Sequence, residues 1–246
     1  MNITIKMDGL QDTIKKLQDI SAHKVPKVAA MALTATAKEF KKTITDMMPQ
    51  VFDRPTPYTL KSLYLLPATP SNLTATVWFK WGSLFQTQHY LAPHVYGGGR
   101  EFKKAEILLQ NRRLLPQGMY MTAGGGARLN KYGNISGGQM TQILSAVKAF
   151  PEVGYMMNIT ARSRKRNKNP RQYFVGRPGG GNKPLGVWER YGAGRRHVRP
   201  ILMFVKKPSY KKRLPFYETA QSMMQPTFRR EFIRLADETI QFNKNK

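Results

Sequence analysis

The chain has 246 residues, of which 41% are hydrophobic and none is cysteine. This composition excludes disulfides, thiolate metal sites and cysteine nucleophiles, and it leaves enough apolar residues for a sizeable core in one large domain or two small ones. With 41 lysines and arginines against 14 aspartates and glutamates, the net charge of +27 predicts a polyanionic or acidic partner.

The first elements are a strand and a short helix. Apolar and polar residues alternate over 2–6, which predicts a half-buried strand, and Asp8-Gly9 is a turn signal. Helical spacing then predicts a short helix over Leu10–Ile20. The chain has no apolar run of 18 residues and no basic-then-apolar leader. We therefore expect neither a membrane partner nor export by a signal peptide.

The longest helical pattern covers Val25–Met48, and Pro49 is expected to end it. Pro26 falls in its first turn, where a missing N–H costs nothing. Its apolar or small residues recur every three or four positions, at Val25, Val28, Ala29, Ala32, Leu33, Thr36, Phe40, Ile44 and Met47. This stripe predicts a core helix that lies on a sheet.

Two strands should follow, over Thr59–Leu66 and Asn72–Lys80, with a turn at Pro67–Ser71. We expect this hairpin to cover the long helix. Residues 81–150 then lose periodicity and contain three glycine runs, at 97–99, 124–126 and 137–138. We predict a long irregular insertion with extended arms and local elements, namely helices over Phe102–Leu115 and Gly138–Phe150 and strands over Val153–Ala161 and Gln172–Gly176.

The C-terminal part should return to regular structure. Strands are predicted over Gly186–Tyr191 and Ile201–Val205, and a helix from Leu214 that Pro226 should kink or divide. The fold class is therefore α+β, with an antiparallel sheet packed by the long N-terminal helix and the C-terminal helix. We assign residues 1–80 and 185–246 to this core domain and residues 81–184 to the Gly-rich, basic insertion.

The charge is concentrated late in the chain. Residues 160–213 contain 17 lysines and arginines but a single carboxylate, Glu189. Such a region can hold phosphates and stack bases, dock onto acidic neighbours, or simply be a solvated charge run. The flanking aromatic residues alternate with apolar ones, which favours the core over base stacking. The candidate interaction residues are Arg162, Arg164, Lys165, Arg166, Lys168, Arg171, Lys183, Arg195 and Arg196.

Enzymatic chemistry has little support in the sequence. His89 and His94 share a loop without a third candidate metal ligand. The glycine runs lack the lysine and hydroxyl residue of a phosphate-binding P-loop, and no GxSxG motif is present. We predict no catalytic residue, no metal and no cofactor, although a site built from the middle insertion stays an open alternative.

The order of elements at the two chain ends resembles the minor tail and tail-completion (head–tail joining) proteins of tailed bacteriophages, including lambda minor tail protein Z. The resemblance covers about residues 1–80 and 185–242. It rests on the N-terminal strand with Gly9-Leu10, the helix entered through Val25-Pro26, Trp188-Glu189-Arg190-Tyr191-Gly192, Arg199-Pro200-Ile201 and Leu214-Pro215-Phe216. In this family the equivalent late strands and last helix close the sheet over the N-terminal helix.

The resemblance implies a non-enzymatic virion protein of the tail or neck, assembled in the host cytoplasm. Its partners would be copies of itself in a ring, commonly six-fold, and adjacent ring proteins with acidic faces, with DNA in the channel as a further partner. The basic loop at residues 162–171 could face either protein or DNA. The alternative is a basic nucleic-acid-binding protein that acts in genome packaging or in a ribonucleoprotein.

Overall fold

The computed structural model describes residues 2–5, 24–80, 89–150, 172–179, 181, 183–192, 194 and 196–244. Three segments of the sequence analysis lie outside these residues: the predicted helix over Leu10–Ile20, the predicted strand over Val153–Ala161, and residues 162–171, which contain six of the candidate interaction residues. The chain divides into two compact units: Met1–Gly97 with Lys211–Lys246, and Gly98–Tyr210. Helices and antiparallel sheets occur in the chain, so the predicted α+β class is confirmed.

The first unit is built from both ends of the chain. Its elements are β1 (Asn2–Ile5), α1 (Lys24–Val51), α2 (Pro57–Leu60), β2 (Leu63–Leu66), β3 (Ala75–Phe79) and α3 (Ala92–Tyr96), and it ends with a helix over Phe216–Lys244. The second unit contains β4 (Gly98–Gly99), α4 (Lys104–Asn111), β5 (Tyr120–Ala123), α5 (Gly137–Ala146), β6 (Gln172–Gly176), β7 (Gly186–Tyr191), β8 (His197–Val205) and β9 (Ser209–Tyr210). The C-terminal helix is α6.

Helix α1 is the centre of the first unit, as its apolar stripe predicts. Leu33, Phe40 and Ile44 are fully buried, and the Thr36 hydroxyl satisfies its hydrogen bond within the helix by donating to the Ala32 carbonyl at 2.8 Å. Phe40 meets Phe216 of α6 edge to face, with ring centroids 5.2 Å apart. Burying side chains of this size contributes about 1.5–3 kcal/mol each, which explains why α1 and α6 pack along their length.

The structure bears on two proline predictions for these helices. Pro49 does not end α1, which continues to Val51, because a proline in the last turn removes one hydrogen bond while the buried Met48 still accepts from the Phe52 N–H at 3.0 Å. Pro226 does not divide α6, which runs without interruption from Phe216 to Lys244. The predicted C-terminal helix is confirmed, and it buries Phe216, Ala220, Phe228 and Leu235.

A three-stranded antiparallel sheet, in the order β1-β3-β2, covers α1. The hairpin prediction is confirmed for β2 and β3, but the predicted first strand begins four residues too early. Residues 57–60 form helix α2 because Thr56 caps it, accepting a hydrogen bond from the Thr59 N–H at 3.2 Å, and Pro57 occupies its first turn. Thr34 of α1 accepts from the Ala68 N–H and fastens the hairpin turn.

The second unit has its own core and more regular structure than predicted for the insertion, although residues 124–136 contain no helix or strand. Four antiparallel strands in the order β5-β8-β7-β6 pack with α4 and α5 around Leu109, Ile143 and Leu202. Both helices are shorter than predicted. Each ends where a residue enters the left-handed region, Arg113 at φ 56° and Lys148 at φ 55°.

Strand β8 is longer than predicted because a bulge accommodates its proline. The register passes from Val187↔Leu202 to Trp188↔Pro200, so Ile201 is the extra residue, and Pro200 is tolerated in a central strand. Gly124 pairs beside β8, and a Cβ there would lie 2.6 Å from the Pro200 carbonyl oxygen. The glycine run after β5 therefore serves close backbone approach rather than an extended arm.

The unit boundaries differ from the predicted domains. We expected residues 185–246 to join the N-terminal core, but β7, β8 and β9 belong to the second unit, and the first unit regains the chain only at Lys211. The reason is strand pairing: β7 lies between β6 and β8, and β9 pairs with β4. The resemblance implied that the late strands close the sheet over α1, and they do not. The last helix, α6, does pack on α1.

Candidate polyanion-binding surface

The described residues of the second unit bury two of their three carboxylates and leave most of their cations exposed. Its described residues include fifteen lysines and arginines but only three glutamates, Glu101, Glu106 and Glu189. The side chains of Glu106 and Glu189 are 0% and 2% exposed, and each pairs with an arginine. The outside of the unit is therefore strongly cationic, which is the electrostatic footprint of a surface that binds polyanions.

Glu106 shows how a carboxylate is held inside. It accepts four hydrogen bonds: 2.7 Å and 2.5 Å from the Arg100 guanidinium, 2.6 Å from the Lys103 N–H and 2.7 Å from the Met121 N–H. Burial alone would raise the pKa of Glu106, but these bonds outweigh it and hold the pKa below its usual value. The site ties the start of α4 to β5 and is structural.

Glu189 pairs across the sheet with Arg199. Residues 189 and 199 are directly opposite on β7 and β8, and Arg199 Nε donates to Glu189 Oε2 at 2.9 Å. The same guanidinium lies 5.0 Å from the centre of the Tyr191 ring. The one carboxylate of the basic 160–213 region is thus neutralised within the sheet and adds little negative charge to the surface.

The opposite face of the same strands carries paired cations and aromatic rings. Phe174 on β6 lies directly opposite Trp188 on β7. The Arg190 guanidinium is 4.8 Å from the centre of the Phe174 ring, and the Lys183 ammonium is 5.6 Å from that of Trp188. We call Phe174, Lys183, Trp188 and Arg190 the cation–aromatic face. Such contacts hold cations in place while leaving their charge available to an anion.

Seven of the nine predicted interaction residues lie outside the described residues, namely Arg162, Arg164, Lys165, Arg166, Lys168, Arg171 and Arg195. Of the other two, Lys183 belongs to the cation–aromatic face and Arg196 is exposed just before β8. The structure adds Arg190, which the sequence analysis placed only in a strand. Its two-residue spacing from Trp188 on a strand was the available signal.

Among the described residues, no group of three or more His, Asp or Glu side chains could hold a metal ion. His89 and His94 remain in the first unit. Burial lowers the pKa of His89 to about 4, and its Nδ1 accepts from the Leu91 N–H at 3.3 Å. Nor does any helix in the described ranges combine the length and apolar composition needed to cross a membrane.

No protein-family model, no curated protein and no solved structure matches this chain.

Proposed function

We propose that the chain is a structural protein of a tailed bacteriophage particle, which joins or completes the tail or neck as a subunit of a ring around the DNA path. The observation that carries this proposal is the cationic second unit, in whose described residues two of the three carboxylates are buried and paired with arginines. A subunit beside DNA or beside acidic ring faces needs such an exterior, and the order of elements at the chain ends resembles joining proteins.

The arrangement of the chain supports the same role. Both ends build one α+β unit, and the basic unit is inserted between them. An inserted unit can present a charged surface without contributing to the core that holds the subunit together. The interaction residues predicted from sequence, including Lys183 and Arg196, fall in this second unit.

The direct test is quantitative mass spectrometry of nuclease-treated, purified phage particles from the source host. We expect a copy number that matches a closed ring, on the order of six or twelve per particle. Absence from intact particles, or a copy number well below one ring, would contradict the joining role.

A second candidate is a nucleic-acid-binding protein that acts inside the cell, in packaging or in a ribonucleoprotein. The observation that favours it is the cation–aromatic face, because its exposed cations, Lys183 and Arg190, can bind phosphates. Affinity would then fall steeply with salt, by close to one unit of logarithmic slope per neutralised phosphate of a duplex.

This candidate is tested by measuring duplex affinity against salt for three variants. We expect a flatter slope for Lys183→Gln with Arg190→Gln, and for the combined glutamine replacement of Arg162, Arg164, Lys165 and Arg166. The charge-matched control is Lys27→Gln with Lys38→Gln on the first unit, two exposed lysines. Equal slopes for all variants and the wild type would argue against DNA contact by the second unit.

A further inference from the structure

The outer face of the three-stranded sheet in the first unit carries exposed aromatic residues. Alternation along β2 and β3 turns Leu63, Val77 and Phe79 toward α1, and Tyr64 and Trp78 to the other side. Tyr64 and Trp78 are register partners, with ring centroids 4.7 Å apart. Tyr64 is 47% exposed, so its ring is open to a ligand.

A shallow cationic pocket of about 230 Å³ lies where β2 begins and β3 ends. It is lined by Pro57, Tyr58, Lys61, Ser62 and Lys80. Both lysines are exposed, and none of the lining residues is acidic. The Lys80 ammonium is 5.8 Å from the centre of the Tyr64 ring, so the pocket continues directly into the aromatic surface.

Ser62 supplies a buried hydroxyl to this pocket. The residue is 4% exposed. Its Oγ has only a weak interaction with the Tyr90 hydroxyl, which donates its hydrogen bond to Thr59 at 3.3 Å. A buried hydroxyl that lacks a full hydrogen bond is unfavourable, and a bound anion would supply one. The backbone cannot serve the anion, because the N–H groups of Ser62 and Lys80 already donate to carbonyls.

We infer that this sheet face binds single-stranded nucleic acid, with a phosphate in the pocket and a base on the aromatic surface. Lys61, Lys80 and the Ser62 hydroxyl match the charge and the acceptor oxygens of a phosphodiester. Tyr64, backed by Trp78, offers a π-face to an unstacked base. The bases of a duplex are stacked and cannot reach the Tyr64 ring, and acidic side chains have no aromatic ring to stack on it. A single strand therefore fits the cationic pocket and the aromatic surface together best.

This site is separate from the proposed function. It lies in the first unit, and the cation–aromatic face lies in the second. The two can therefore fail independently, and the experiment uses variants of both.

The test is fluorescence anisotropy of the full-length chain with a labelled oligothymidylate of about twelve nucleotides, within the range of known single-strand sites. Tyr64→Leu, which keeps the apolar contact with Trp78, should weaken binding about five- to a hundredfold, the range for losing one stacked base. Its salt slope should not change. Lys61→Gln with Lys80→Gln should instead lower the slope by about 0.7, the contribution of the one single-strand phosphate that the pocket holds.

Ser62→Ala separates a ligand-binding role from a structural one. It should weaken oligonucleotide binding while leaving the melting temperature close to that of the wild type, because the hydroxyl makes no strong hydrogen bond in the described structure. The control for charge is again Lys27→Gln with Lys38→Gln. In this background, Tyr64→Leu should weaken binding by the same factor as it does in the wild type. Circular dichroism and thermal melting check that every variant is folded.

Three results would overturn the inference. If only Lys183→Gln with Arg190→Gln weakens binding, the nucleic acid is held by the second unit. If thymidine monophosphate binds as tightly as the oligonucleotide, the site recognises a free nucleotide rather than a strand. If Tyr64→Leu leaves binding unchanged but alters the oligomeric state measured by light scattering, the aromatic surface is a contact between copies of the chain.

Discussion

The Arg100–Glu106 pair is the most deeply buried charge interaction among the described residues, with side chains 12% and 0% exposed. Glu106→Gln would leave Arg100 without its counter-charge in a dry site. We expect it to lower the free energy of unfolding by about 3–5 kcal/mol, the usual cost of breaking a buried ion pair from one side. Urea denaturation of the full chain measures this loss.

The matched control is Glu218→Gln, which removes the exposed pair with Lys212. Surface pairs of this kind contribute little, so the control should change the unfolding free energy far less than Glu106→Gln does. Similar losses for both variants would contradict a special role for the buried carboxylate.

His89 should make the first unit sensitive to acid. Its ring is stacked on Phe79, with centroids 5.0 Å apart, and burial lowers its pKa to about 4 from 6.5. Between those two values the unfolded chain binds the proton and the folded chain does not, so stability must fall as the pH is lowered through this range. The full loss is about 3 kcal/mol, and it is complete below pH 4.

His89→Asn tests this expectation, because an amide oxygen can still accept from the Leu91 N–H but does not titrate. Thermal melting between pH 8 and pH 4 should show a smaller decline for the variant than for the wild type. Parallel declines would mean that other groups cause the acid sensitivity. Glu106, whose pKa is lowered, adds its own loss only at more acidic pH.

At the scale of elements, helices α4 and α5 end in the same way. Leu114 N–H donates to the Leu109 carbonyl and Ala149 N–H to the Leu144 carbonyl, while Arg113 and Lys148 take the left-handed conformation. Glycine is the usual residue there, because a side chain is strained at positive φ. Arg113→Gly and Lys148→Gly should each stabilise the second unit by about 0.5 kcal/mol, after the entropy of the unfolded glycine is subtracted.

Val147→Gly is the control, because Val147 precedes Lys148 and has a φ of −88° that any residue adopts. It should destabilise the chain in the same urea titration. Stabilisation by all three glycines would point to a general effect on the unfolded chain rather than relief of strain.

The long helices were predictable because periodicity is a local property. Phe40 and Phe216 stand on stripes that can be read from sequence, and both are buried as expected. Helix α2 was missed because the cap at Thr56 and Pro57 overrides the alternation that follows. The start of β8 was missed because Pro200 reads as a strand breaker unless the bulge opposite Trp188 is known.

At the scale of the whole molecule, sequence patterns did not give the partners of the strands. Nothing local to β7 indicates that it pairs with β6 and β8 rather than with the N-terminal sheet, so the predicted boundary at residue 185 differs from the observed one at 210. The candidate sites have the same origin. Ser62 and Lys80 become neighbours only because β2 and β3 pair, and Glu189 meets Arg199 only across β7 and β8.

The pairing of β4 with β9 has a consequence for how the chain is made. Helix α1 needs α6 to cover its apolar stripe, yet 113 residues of the second unit lie between the two parts of the first unit. At usual rates of synthesis, a ribosome spends roughly ten seconds on them. Once β4 (Gly98–Gly99) has paired with β9 (Ser209–Tyr210), the two ends of the second unit lie next to each other. The entropy cost of bringing these ends together has then already been offset by the folding of the second unit. If the second unit folds first, α1 and α6 can therefore pack without a further cost for closing a loop of this length.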